Sequence, residues 1–168
     1  KTQLDVSGDI IVRIESEHRV TSDARLRVRS YGGPLETFRV RLPPGMELVP
    51  LPVASGFTLA PLTVPGAGLP ARTGQTPQVV EVRLDKPATA AVEVVLRAQR
   101  EAEARPALLQ PARFEVLGAV RNRGTIDFTM DGEWQLDWTE DKSVHRLDLT
   151  PDTAAARIVA RFEYFQQP

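Results

Sequence analysis

The stretch DARLRVRSYGGPLETFRVRL, residues 23 to 42, decides how the rest of the chain is read. Ala24, Leu26 and Val28 alternate with Arg25, Arg27 and Arg29, and after a YGGP break Phe38, Val40 and Leu42 alternate with Arg39 and Arg41. Successive strand side chains point to opposite faces, so strict alternation marks half-buried strands with one apolar face. Gly-Gly-Pro is a turn signal, and the simplest expectation is a hairpin that pairs Val28 with Phe38. The preceding segment has the same phase: Ile10, Val12, Ile14 and Val20 are apolar, whereas Arg13, Glu15, Glu17 and Arg19 are not. Three successive strands share one buried side.

Period two continues downstream. PQVVEVRLD offers Val80, Val82 and Leu84, a DKP turn follows, and TAAVEVVLR offers Ala90, Val92, Val94 and Leu96. Residues 43 to 77 hold 8 of the 14 prolines. Proline removes a ladder donor, so MELVPLPV and FTLAPLTV are expected as edge strands, and PGAGLPARTGQT as a surface loop. REAEARPALLQPAR, 100 to 113, reads as a connection within one domain, with a short helical turn at its start. AARIVARFEYF could be a helix after Thr150-Pro151-Asp152, but a strand is preferred, because Ala156, Ile158, Ala160, Phe162 and Tyr164 alternate with Arg157, Arg161 and Glu163.

These patterns predict an all-β fold, an antiparallel β-sandwich of about ten or more strands, with a barrel-like closure as the alternative. The whole chain, 1 to 168, is expected to form one such domain. It opens on Lys1 without a methionine, which is read as a domain excised from a longer protein.

Composition removes several function classes. There are no cysteines, so disulfides, thiolate metal sites and thiol nucleophiles are out of reach. A formal charge of −1 gives no general electrostatic case for nucleic acid, and apolar runs are too short for direct membrane insertion. No Walker loop, dinucleotide glycine fingerprint or nucleophile elbow is present. Two histidines, His18 and His145, support neither a transition-metal site nor a general base. No metal, cofactor or catalytic residue is expected.

FTMDGEWQLDW, residues 128 to 138, carries both tryptophans. A three-residue loop closing on Gly132 would pair Phe128 with Trp134, Ile126 with Leu136 and Gly124 with Trp138, so that one face is continuously apolar. Gly124 would then leave room for the ring of Trp138. The next turn would set Trp138 opposite His145, which is accordingly read as packed. On this reading the indoles anchor the core, and Asp127, Glu133 and Asp137 point the other way. The alternative is a glycan platform made by Trp134 and Trp138.

The same hairpin logic stacks arginines. Pairing Val28 with Phe38 sets Arg27 opposite Arg39 and Arg25 opposite Arg41, and the first strand adds Arg13 to that face. Like charges directly opposed are unfavourable, so Glu15 and Glu17 are expected to offset part of the excess. Arg13, Arg25, Arg27, Arg39 and Arg41 are therefore the candidate anion-binding set, for an acidic glycan or protein.

The runs VRLPPGMELVPL, FEVLGAVRNRGTIDF and RFEYFQQP resemble parts of β-rich modules of very large exported bacterial multidomain proteins. The resemblance implies a non-catalytic structural or interaction module of an extracytoplasmic protein, at the cell envelope or secreted, contacting neighbouring domains of its parent chain. A carbohydrate- or polyanion-binding module and an accessory domain of an enzyme are the alternatives.

Overall fold

The structure is a computed structural model, and it describes residues 3–16, 19–43, 45–50, 56–62, 78–101, 114–130, 144–151 and 157–166. Eleven strands occur among them: β1 (Gln3–Ser16), β2 (Arg19–Tyr31), β3 (Leu35–Arg41), β4 (Glu47–Val49), β5 (Phe57–Leu62), β6 (Val79–Ala88), β7 (Val92–Glu101), β8 (Glu115–Val116), β9 (Ala119–Met130), β10 (Val144–Leu147) and β11 (Ile158–Gln166). They form two open sheets, β10-β11-β9-β1-β2-β7-β4 and β5-β6-β3-β8. The sandwich is therefore the architecture, and the barrel-like alternative falls away.

Period two is realised in the core. Val6, Ile10, Val12 and Ile14 of β1, Leu26 and Val28 of β2, and Val94 and Leu96 of β7 face Phe38 and Val40 of β3 and Val80 and Val82 of β6 in one buried cluster. Burying each such side chain contributes about 1.5–3 kcal/mol, so the repeated inward phase drives the two sheets together. β11 is a strand, with Ala160, Phe162 and Tyr164 inward, and the Phe162 ring meets Phe128 edge-on at 5.5 Å. β4 and β5 lie at sheet edges as the prolines require, and Pro61 sits in β5 opposite Val80.

Several pairings differ from the sequence expectation. The YGGP break does not make a hairpin. Val28 pairs with Val6 and Val92 in the large sheet, whereas Phe38 pairs with Val82 in the small one. Both edges of β2 are occupied by β1 and β7, so β3 crosses to the facing sheet. The crossing preserves the inward phase because both inner faces are apolar. Gly32, at φ 88°, and the Ser30 hydroxyl, which donates to the Gly33 carbonyl at 2.9 Å, shape that corner.

The DKP segment is likewise not a turn. β6 runs on through it to Ala88, which pairs with Leu35, and the chain then changes sheet to begin β7. Nor is the sandwich wholly antiparallel, because β1 and β9 run parallel from Leu4–Ala119 to Ile14–Met130. Parallel neighbours need a long connection, so no turn signal announces them.

The expected 124 to 149 meander is also overturned where it can be seen. Phe128 pairs with Val12 and Ala160, Ile126 with Ile10 and Phe162, and Gly124 with Gly8 and Tyr164. With β1 and β11 on its two sides, β9 has no edge left for the register proposed with Trp134, Leu136 and Trp138. Those three residues, with Glu133 and Asp137, lie outside the described residues, as do residues 65 to 76 and 102 to 113. His145 is exposed and stands opposite Glu163, so it is not a packed histidine.

A candidate charged face on the large sheet

Because inward positions of the large sheet are apolar, its outward positions fall into rows of polar side chains that cross the strands. One row runs Arg161, Asp127, Ile11, Asp23, Arg97 over β11, β9, β1, β2 and β7. Its two ends are forked ion pairs. Arg161 Nε and Nη2 donate to the two Asp127 oxygens at 2.6 and 3.0 Å. Arg97 Nε and Nη2 donate to those of Asp23 at 2.6 and 3.3 Å, and Arg13 Nη1 reaches the same carboxylate at 3.0 Å. Hydrogen bonding by Asp23, and then its charge, hold the Arg97 guanidinium above its ordinary pKa.

Towards the other end of the strands the rows read Glu163, Thr125, Asp9, Arg25 and Phe165, Arg123, Ser7, Arg27, Glu93. Thr125 Oγ1 donates to Asp9 Oδ1 at 3.1 Å, and Arg25 Nε lies 3.2 Å from Glu93 Oε1. Apart from Phe165, these side chains border a shallow groove of about 440 Å³ on the outer surface, lined by Ser7, Asp9, Arg25, Arg27, Arg123 and Glu163 among others. A last pair, Arg121 and Asp5, stands 3.9 Å apart.

The five arginines proposed from sequence do not form one ladder. Arg13, Arg25 and Arg27 are on the outer face of the large sheet, whereas Arg39 and Arg41 are on that of the small sheet, across the sandwich. Nor are they opposed to each other. Arg25 faces Asp9, Arg27 faces Ser7 and Glu93, Arg39 faces Glu81, and Arg41 faces Glu115 in the β3–β8 pairing. Arg39 lies 4.0 Å from Glu81 and Arg41 3.2 Å from Glu115. The repulsion anticipated from a β2–β3 hairpin is replaced by cross-strand attraction.

Of that set, Arg27 has no ion pair among the described residues, and Arg123 joins it in the same condition. Arg123 was missed by sequence reading, although alternation in VRNRGTIDF already places it on the same side as Asp127. What could not be read was its position beside β1, which only the parallel pairing supplies. Asp127 does project away from the core, as expected. Trp134 and Trp138, the candidate glycan platform, are outside the described residues.

Inside the sandwich a few polar groups are buried. Ser22 and Asn122 are among them, and Arg100, half-buried on the inward side of β7 opposite Val20, has its pKa lowered by desolvation. No cluster of three or more His, Cys, Asp or Glu side chains suited to a metal is present among the described residues.

No protein-family model matches the chain, and no curated protein matches it. Among solved structures it is similar to the M1 zinc metallopeptidase from Deinococcus radiodurans, at 15% identity and TM-score 0.43. A mutant of that enzyme bound to a Tyr-Ser-Ala substrate aligns at 14% identity and TM-score 0.44. In both cases the alignment covers 98% of this chain but only 39% of the peptidase chain.

Proposed function

We propose that this domain is a non-catalytic structural and interaction module of an extracytoplasmic multidomain protein, and that its first partners are neighbouring domains of its parent chain. One observation carries the reading: the outer face of the large sheet is a fixed array of mixed positive and negative side chains spread over five strands, held by the Asp23 and Asp127 forks. Such an array favours recognition of a complementary surface, because correctly placed charges steer encounter and penalise wrong partners more than they add raw affinity. The extracytoplasmic placement rests on the resemblance to modules of exported bacterial proteins.

The test is to supply the adjacent domains of the parent chain in trans and follow association by calorimetry. Saturable binding that weakens with added salt is the expected result, since exposed charges more than about 10 Å apart are screened at 0.1 M ionic strength. Absence of binding at low salt would defeat the interaction reading. Turnover of a peptide or glycan substrate by the isolated domain would defeat the non-catalytic one.

A further inference from the structure

The row Phe165, Arg123, Ser7, Arg27 places two arginines on either side of a serine, on three adjacent strands. Two inter-strand spacings separate their Cα atoms by roughly 10 Å, close enough for both guanidinium groups to converge above the serine hydroxyl. Both arginines are exposed, and neither has an ion pair among the described residues, whereas Arg25, the third arginine bordering the groove, is tied to Glu93. Glu93 faces Arg27 in the register, but its carboxylate is engaged by Arg25 at 3.2 Å. Asp9 accepts from Thr125. The geometry points to a site for one carboxylate, presented by an acidic side chain of a partner protein and gripped between Arg27 and Arg123 over Ser7.

The groove's own charges select this occupant over a polyanionic glycan. Three arginines, Arg25, Arg27 and Arg123, and three acids, Asp9, Glu93 and Glu163, line it, so it carries no net charge. An extended chain of sulfates would meet as many repulsive groups as attractive ones, whereas a single carboxylate between Arg27 and Arg123 has two guanidinium groups as its immediate neighbours, with Glu93 next to them already paired with Arg25. Phe165, 45% exposed and opposite Arg123, offers an apolar contact to whatever flanks that carboxylate. An acidic residue beside an aliphatic one on a protein surface supplies both. The site deepens the interaction-module reading and rests on it.

The experiment uses the capped peptide N-acetyl-Leu-Glu-Leu-amide, its Gln counterpart, and a heparin hexasaccharide, each titrated into the protein while arginine side-chain Nε resonances are recorded. The expected result is a saturable shift of Arg27 and Arg123 with the Glu peptide. Arg27→Gln and Arg123→Gln should each weaken that binding by about fivefold or more, the effect of losing one exposed charge-assisted contact. Arg83→Gln, on the other face of the sandwich, should leave it unchanged and so controls for general loss of charge. The proposal is overturned if the Glu peptide leaves both arginines unmoved, if the Gln peptide binds within about twofold of it, or if the hexasaccharide binds more tightly. Any of these outcomes, with binding to the parent's adjacent domains intact, removes the carboxylate site and leaves the interaction module standing.

Discussion

Gly8 and Gly124 stand directly opposite one another in the parallel pairing of β1 with β9, and the hydroxyl of Tyr164 lies over both. Both glycines are at core-facing positions, and Tyr164, fully buried on β11, covers the strip that they leave bare. Covering a strand glycine with a neighbouring aromatic was expected at Gly124, but from Trp138. Tyr164 performs it.

Side chains at either position should therefore be costly, for different reasons. A Cβ on Gly8 would lie 2.6 Å from the Tyr164 hydroxyl and 2.9 Å from Leu26 Cδ2, whereas one on Gly124 would run into the backbone carbonyl of Gly8. Gly8→Ala is expected to cost about 1–3 kcal/mol, and Gly124→Ala at least as much, because backbone yields less than a side chain. Denaturant unfolding measures both. Combining Gly8→Ala with Tyr164→Phe should recover part of the loss, whereas the same combination at Gly124, whose added Cβ would lie 2.7 Å from that hydroxyl, should recover a smaller share, because the clash with the Gly8 backbone remains. Strictly additive effects at Gly8 would refute the close approach.

Asp23 ties together three strands, since it accepts from Arg97 on β7 and lies 3.0 Å from Arg13 on β1. Its side chain is only 19% exposed, but both arginines are 40% exposed or more, so solvent screens much of the attraction. Asp23→Asn should cost about 1 kcal/mol, nearer the surface-pair range than the buried one. Arg97→Lys keeps the charge and loses the two-pronged fork, and should recover less than half of that energy. Equal stability of Arg97→Lys and the parent would show that the fork geometry contributes nothing.

Asn122 turns inward on β9 at 3% exposure, and neither of its side-chain polar atoms has a hydrogen-bond partner among the described residues. An amide buried in this way costs about 1–3 kcal/mol relative to a paired one. Asn122→Leu, close in volume and apolar, is expected to raise stability by about 1 kcal/mol. A thermal midpoint lower than the parent's would mean that the amide is satisfied and contributes to the core.

Which face of each strand is buried was legible in the sequence, and which strand lies beside which was not. Alternation in DARLRVRS and ETFRVRL reports an apolar side, and that side is the same whether β3 folds back on β2 or crosses to the facing sheet. The hairpin reading therefore gave the right core, with Val28 and Phe38 both buried, and the wrong neighbours for Arg25, Arg27, Arg39 and Arg41. The row that unites Arg27 with Arg123 depends on β1 pairing with β9 across more than a hundred residues of chain, and no local pattern encodes it. The proline count placed β4 and β5 at edges because a missing donor is a local property.

The corner that separates β2 from β3 supplies the last prediction. Gly32 holds φ at 88°, where an L side chain is strained, and it sits where the chain leaves one sheet for the other. Gly32→Ala should cost about 1 kcal/mol by that strain alone. Were the segment instead a flexible link, alanine would restrict the unfolded chain and stabilise by a few tenths of a kcal/mol, so the sign separates the two cases. Ser30→Ala removes the hydroxyl that donates to the Gly33 carbonyl and should add a further loss of about 0.5–1.5 kcal/mol. Because both changes act on one corner, the double variant should fall short of their sum, and full additivity in equilibrium unfolding would show that the two residues fix the crossing independently.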